Sequence, residues 1–173
     1  MDIEYLLVDG YNIIHAWENL KELAEENLEQ ARDKLLEIMS NYQGFKKIKV
    51  IVVFDAHKVK GNIGKTYKYN QLDVVFTKEA ETADNYIERT THEIGQTYRI
   101  RVATSDGLEQ IIILGKGATR ISARELLDEV IQVENIIREK HIKKNKVERN
   151  TLESFMKPEV IEWMEKMRRN KGK

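Results

Sequence analysis

The stretch IEYLLVDGYN, residues 3–12, decides the fold. Its apolar run from Ile3 to Val8 is short, aliphatic and nearly continuous, as expected of a strand buried on both faces of a parallel sheet. It stops at Asp9 and Gly10, so an acid marks the strand's carboxyl end. The same grammar recurs downstream. Lys49 to Phe54 (KVIVVF) is β-branched and apolar and breaks at Asp55. Leu72 to Phe76 makes a third strand, and Tyr98 to Ala103 a fourth that runs into Thr104, Ser105 and Asp106.

Helical periods lie between and after these strands. Leu28, Ala31, Leu35, Ile38, Met39 and Tyr42 recur at spacings of three and four, which predicts an amphipathic helix over 27–42. Thr82 is a candidate N-cap for a helix reaching Ile94, where Gly95 stops it. Gly107 to Leu114 reads as a helical segment, and Gly115 with Gly117 as a turn. Ser122 and Glu125 form a capping box opening a long helix. The polar stretch from Lys143 to Asn150 predicts a break, followed by a last helix over 151–167 that Pro158 could split or kink. Residues 56–70 show no clear period and read as a long exposed loop or a hairpin. Alternating strands and helices imply a three-layer α/β fold with a mainly parallel central sheet and C-terminal helices. The expected domains are 1–140 and a basic helical extension over 141–173.

The 173 residues, 41% hydrophobic and 34% charged, suit a globular chain of one ordinary domain plus a small appendage. No apolar run approaches a membrane span, and the N-terminus enters a strand without a basic leader, so a cytoplasmic location is expected. The absence of cysteine excludes disulfides, Cys-ligated zinc, iron–sulfur clusters and a thiol nucleophile. Equal numbers of basic and acidic residues, 29 each, hide an asymmetry: residues 138–173 hold 12 basic and 6 acidic side chains, and the remainder 17 and 23. A basic tail on an acidic body points to nucleic acid or another acidic partner.

Three predicted strands end in an acid, at Asp9, Asp55 and Asp106. In an open parallel sheet these ends share one edge, where ligands bind. Glu81 and Asp84, at the start of the helix after the third strand, face that edge, and their spacing of three lets them share a helical face. Such a cluster repels itself unless a divalent cation neutralises it. Oxygen donors with few histidines suit Mg²⁺ or Mn²⁺ rather than zinc, and those ions commonly serve phosphoryl chemistry. The bland alternative is that an acid after a strand is a turn or cap residue.

The strings VDGYN (8–12), VFDA (53–56), ETAD (81–84) and ATSDG (103–107) together resemble the NYN-domain nucleases of the PIN-like superfamily, in particular the YacP-like branch of bacterial ribosome-associated endoribonucleases. The resemblance covers residues 1–140. It implies a PIN-like α/β domain and a metal-assisted cut of single-stranded mRNA, with the ribosome as partner. It assigns Asp9, Asp84 and Asp106 to metal and water activation, Asn12 to a polar contact with metal-bound water or phosphate, and a less defined role to Asp55. Many family members carry a further Asp two residues after that of the SD motif. Here that position is Leu108, followed by Glu109, so either Glu109 substitutes or the site uses fewer acids.

Lys58, Lys60, Lys65 and Lys68, interleaved with Tyr67 and Tyr69, have a composition suited to phosphate contacts and base stacking, although a charge run is also an ordinary solvated face. His57 reads as a phosphate or proton-transfer group or as a solvated loop residue. Arg138, Lys143, Lys144 and Arg149 on the C-terminal helices are candidates for ribosome binding. The expected activity is a metal-dependent endoribonuclease. Two alternatives compete with it: a non-catalytic RNA- or ribosome-binding module of the same fold, and a haloacid dehalogenase type phosphatase. The phosphatase needs an Asp where Tyr11 stands.

Overall fold

The computed structural model describes residues 3–57, 60–104, 118–155 and 158–170. The chain falls into two compact units, Met1–Val133 and Glu134–Lys173. The first holds a six-stranded sheet. In chain order the elements are β1 (Glu4–Asp9), α1 (Gly10–Ala16), α2 (Glu18–Glu26), α3 (Leu28–Lys46), β2 (Lys49–Phe54), β3 (Lys65–Tyr69), β4 (Leu72–Phe76), α4 (Ala83–Ile94), β5 (Arg99–Ala103), β6 (Thr119–Ile121), α5 (Ala123–Phe155) and α6 (Pro158–Asn170). The sheet order is β3-β4-β2-β1-β5-β6. Only β3 runs antiparallel to its neighbour; the other pairings are parallel.

Register assigns the two faces. Leu7 pairs with Ile51 and Val102, and Leu6 with Val50 and Arg101. Leu7, Val53, Val75, Ile100 and Val102 pack with Ala83 and Ile87 of α4. The alternate residues Leu6, Val8, Val50, Val52, Phe54 and Val74 are buried too, as are Leu35, Leu36 and Met39 of α3, Ile13 and Ile14 of α1, and Leu126, Val130 and Val133 of α5. Each fully buried aliphatic side chain contributes roughly 1.5–3 kcal/mol. Helices therefore cover both faces, as a mostly parallel sheet requires.

One charged residue sits within the second face. Arg101, on β5, donates to Glu4 of β1 at 2.6 Å, to Glu129 of α5 at 3.0 Å and to the Tyr42 hydroxyl of α3 at 3.1 Å. Tyr42 in turn donates to Glu129. Burial, reinforced by that bond to Glu129, pushes the Tyr42 phenol up to about 12. Burial alone would raise Glu129, but the Tyr42 hydrogen bond and the Arg101 charge outweigh it and hold the carboxyl below its ordinary range.

Local signals explain most boundaries. Asn27 caps α3 by accepting from Gln30 N at 3.1 Å, and Lys47, at φ 56°, ends it in the left-handed region. Thr82 accepts from Asn85 N at 3.1 Å, and Ser122 and Glu125 make the expected reciprocal box at 3.1 and 3.3 Å. Residues 56–70 resolve partly into the hairpin alternative: β3 pairs with β4 through a turn whose Asn70 has φ 53°.

Three features differ from or add to the sequence reading. Residues 10–26 form α1 and α2, short helices with no separate prediction. The predicted break over 143–150 is absent, because α5 continues to Phe155; Lys, Arg and Glu, five of these eight residues, are good helix formers, and polarity alone does not end a helix. The proposed division at residue 140 falls inside this helix. The helix predicted over 151–167 is divided as Pro158 allowed: Thr151–Phe155 belongs to α5 and Pro158 opens α6, where a first-turn proline lacks only an N–H that would have no helical partner. The segment read as helical over 107–114 and the Gly115 and Gly117 turn lie outside the described residues. Among the described residues no helix is long and apolar enough to cross a membrane.

The join of β1 to α1 leaves no room for a side chain at Gly10, where a Cβ would lie 2.4 Å from the Phe54 ring. That ring cannot retreat, being buried and packed against Tyr11 at 5.1 Å and Phe76 at 5.2 Å. Gly10→Ala is expected to destabilise the chain by about 1–3 kcal/mol in urea unfolding. Glu129, with its lowered folded-state pKa, stabilises the fold above its unfolded value and loses that contribution as pH falls through the folded value. The unfolding midpoints of wild type and Glu129→Gln should therefore differ near pH 6 and converge as pH is lowered past about 4.

Candidate active site at the carboxyl edge of the sheet

β1 occupies the position where strand order turns, with β2, β4 and β3 to one side and β5 and β6 to the other. A crevice opens beyond the carboxyl ends of the strands at such a switch point. Asp9 closes β1 there, only 8% exposed, and precedes α1 as its N-cap residue. By strand alternation it shares the Leu7 side of the sheet, the side covered by α4. Asn12 follows in the first turn of α1 and is half-buried.

Helix α4 lays Ala83, Ile87 and Thr91 on the sheet. Tyr86 and Arg89 project from one flank of this stripe, toward β3 and β4, where they line a cleft of about 230 Å³ with Gly64, Lys65, Thr66 and Lys78. Asp84 is exposed in the first turn of α4, and the helical period sets it on the flank opposite Tyr86 and Arg89. Asp106 and Glu109, which follow β5 in the chain, lie outside the described residues.

Asp55 holds this edge together. One carboxylate oxygen accepts from the His57 ring and from His57 N at 3.1 Å; the other accepts from Ala83 N, the first residue of α4, at 3.4 Å. Burial raises Asp55, but the hydrogen bonds from His57 and Ala83 outweigh it and keep the carboxyl below its usual range. The buried Thr77 adds a second clamp, accepting from Ala56 N at 2.8 Å and donating its own N–H to Phe54 O at 3.0 Å. Asp55 is therefore a local organiser that sets the start of α4, and with it Asp84.

Glu81 does not share a helical face with Asp84. It precedes the Thr82 cap and ion-pairs with Arg89 at 2.6 Å, on the β3–β4 flank. Among the described residues no three His, Cys, Asp or Glu side chains gather closely enough to hold a metal. The donor chemistry still fits a hard, largely hydrated cation, since Mg²⁺ is commonly held by one or two carboxylates plus water and phosphate oxygens. Of the acids expected at this edge, Asp9 ends β1 and Asp84 lies in the first turn of α4.

The predicted basic loop divides. Lys58 lies outside the described residues, and Lys60 is exposed. Lys65 stands over the Tyr67 ring at 5.0 Å and lines the cleft, whereas Lys68 ion-pairs with Asp73 at 2.7 Å. Tyr67 stacks on Phe76, with ring centroids 6.2 Å apart. Lys78, Tyr86 and Arg89 complete the cleft wall, and no sequence motif marks them; only the pairing of β3 with β4 brings them together. In the second unit Arg138, Lys143 and Lys144 are exposed on α5, while the Arg149 side chain lies outside the described residues.

Comparisons with known proteins agree with this geometry. The model of the YacP-like NYN domain matches residues 6–169. The uncharacterized protein YacP of Bacillus subtilis strain 168 is 46% identical over 170 residues, which span 98% of each chain. The crystal structure of Rae1 (YacP) from Bacillus subtilis matches with a TM-score of 0.71 at 46% identity, covering 98% of this chain and 95% of that one. A crystal structure of a mutant of the same Rae1 gives 0.74 at 42%, with 90% and 94% covered. With sequence and fold matched over nearly the whole length, the chain belongs to the YacP-like NYN domain family, within a nuclease superfamily.

Proposed function

We propose that the chain is a metal-dependent endoribonuclease that cleaves mRNA in the cytoplasm in association with the ribosome. The observation carrying this reading is that Asp9 lies buried at the end of β1, at the strand-order switch of a chain that matches the YacP-like NYN domain over residues 6–169. Asp9 and Asp84, joined by Asp106, would hold Mg²⁺ or Mn²⁺. Such an ion, when bound, lowers the pKa of water and offsets charge on the scissile phosphate.

The chain's own groups supply the rest. Water attacks phosphorus in line as the bond to the leaving ribose oxygen breaks, and a carboxylate at the edge takes up the proton the water releases. The Asn12 amide is placed at the start of α1 to orient a phosphate oxygen or water. Lys65 and Lys78 line a cleft beside this edge, whose wall also holds the Arg89–Glu81 ion pair, and can bind flanking phosphates, with Lys60 on the loop before them. Asp55 and Glu81 serve position and charge balance rather than the reacting centre. In the second unit the exposed Arg138, Lys143 and Lys144, with Arg149 further along α5, provide a sequence-independent attraction to ribosomal RNA.

Asp9→Asn and Asp84→Asn are each expected to lower RNA cleavage by more than about a hundredfold, the upper end of the loss seen even for residues one shell further from a metal, while thermal stability and RNA affinity stay close to wild type. A chelator should abolish wild-type cleavage, and Mg²⁺ or Mn²⁺ should restore it. Full activity in either variant would refute the site; RNA binding without cleavage under any metal would instead select a non-catalytic binding module. Charge reversal at Arg138, Lys143, Lys144 and Arg149 should reduce co-sedimentation with ribosomes and flatten its salt dependence, leaving cleavage of a short free RNA unchanged. Undiminished co-sedimentation would remove these residues from the ribosome contact.

A further inference from the structure

A groove of about 510 Å³ lies between α1, α2 and the start of α3, lined by Tyr11, His15, Lys21, Ala24, Glu25 and Leu28. Nothing in the reading above uses it. Its volume falls within the range of pockets for small organic ligands. Tyr11, which lines it, stands two residues after Asp9 in the chain. Tyr11 forms a rigid wall: its hydroxyl accepts from Arg32 at 3.1 Å, and its ring packs on Phe54 at 5.1 Å. His15, one helical turn on, adds a second flat ring. Leu28 leaves an apolar surface 39% exposed at the start of α3.

The polar groups in this groove are complementary and few. Lys21 and Glu25 stand one turn apart on α2, so they share a face. The ammonium can only donate and the carboxylate only accept. We propose that the groove is a base-recognition subsite for guanine, an inference that rests on the nuclease reading. Flat rings and Leu28 offer a stacking and apolar surface open to any base. Discrimination comes from Glu25 and Lys21. Guanine presents two adjacent donors, N1–H and the N2 amino group, which one carboxylate can accept together, and O6 and N7 accept from a lysine. Adenine and cytosine offer a single amino group, and uracil a single imino N–H, so none satisfies Glu25 in both positions.

The test has two independent arms on the full chain. In the first, guanosine, adenosine, cytidine and uridine, which carry no phosphate to draw them to the cleft lined by Lys65 and Lys78, are titrated separately while the ring resonances of Tyr11 and His15 are followed by NMR. Guanosine should shift both rings and bind tightest. Glu25→Gln should weaken guanosine by about tenfold or more with little effect on the other three, the scale of one lost bidentate contact. Leu28→Trp, which fills the groove, should exclude all four while the circular dichroism stays that of wild type. Unperturbed rings, equal binding of the four nucleosides, or a guanosine preference unchanged in Glu25→Gln would each overturn the subsite. In the second arm, cleavage positions are mapped on a random-sequence RNA. A guanine preference beside the cut that disappears in Glu25→Gln supports the proposal, and cleavage with no base preference overturns it while leaving the nuclease reading intact. Guanosine binding with no cleavage by wild type under any metal would keep the groove and sink the nuclease reading.

Discussion

The guanidinium of Arg101 joins segments that the sequence keeps far apart: β1 through Glu4, α3 through Tyr42 and α5 through Glu129. An arginine facing the interior of a sheet is costly unless its donors are met, and here two carboxylates and a phenol meet them. A partly buried cluster of this kind adds little net stability over an apolar one, but it tolerates few alternative arrangements. It sits at the amino end of β1 and the middle of β5, so it sets the mutual register of the two strands that flank the switch point. The carboxyl edge lies at their opposite ends, and its geometry inherits that register.

At the carboxyl edge, hydrogen bonds do for helices and loops what Arg101 does for strands. Asp55 accepts from both His57 and Ala83, which ties the end of β2 to the first turn of α4. The acids at this edge therefore divide by burial and partners. Asp9 is buried at the end of β1, Asp84 is exposed in the first turn of α4, Asp55 organises the backbone between β2 and α4, and Glu81 neutralises Arg89. The four described acids, alike in sequence pattern, do not have equivalent surroundings in space.

The strands and their acidic ends were legible because a buried parallel strand writes itself as a continuous apolar run, as in Leu6 to Val8 and Val50 to Phe54. Caps were legible for the same local reason: Thr82, and Ser122 with Glu125, act within one turn. The pairing of β3 with β4 was only half visible, since Lys65 to Tyr69 forms an edge strand whose partner lies across a turn. Helices α1 and α2 are too short for their period to stand out, although Ile13, Ile14, Trp17 and Leu20 do fall on the core. The continuation of α5 through 143–150 was hidden by a charged composition that serves a helix as well as a loop. The separate roles of Glu81 and Asp84 could not be read from their spacing, because the Thr82 cap between them places one outside the helix.

The antiparallel β3 is also the outermost strand of the sheet on its side, with β4 as its neighbour. An open strand edge is a template on which another chain can add. The exposed lysines at positions 65 and 68 make such an addition unfavourable, because two copies would bring like charges together as their backbones met. Replacing those lysines with neutral residues would therefore leave the β3 edge open to edge-to-edge aggregation.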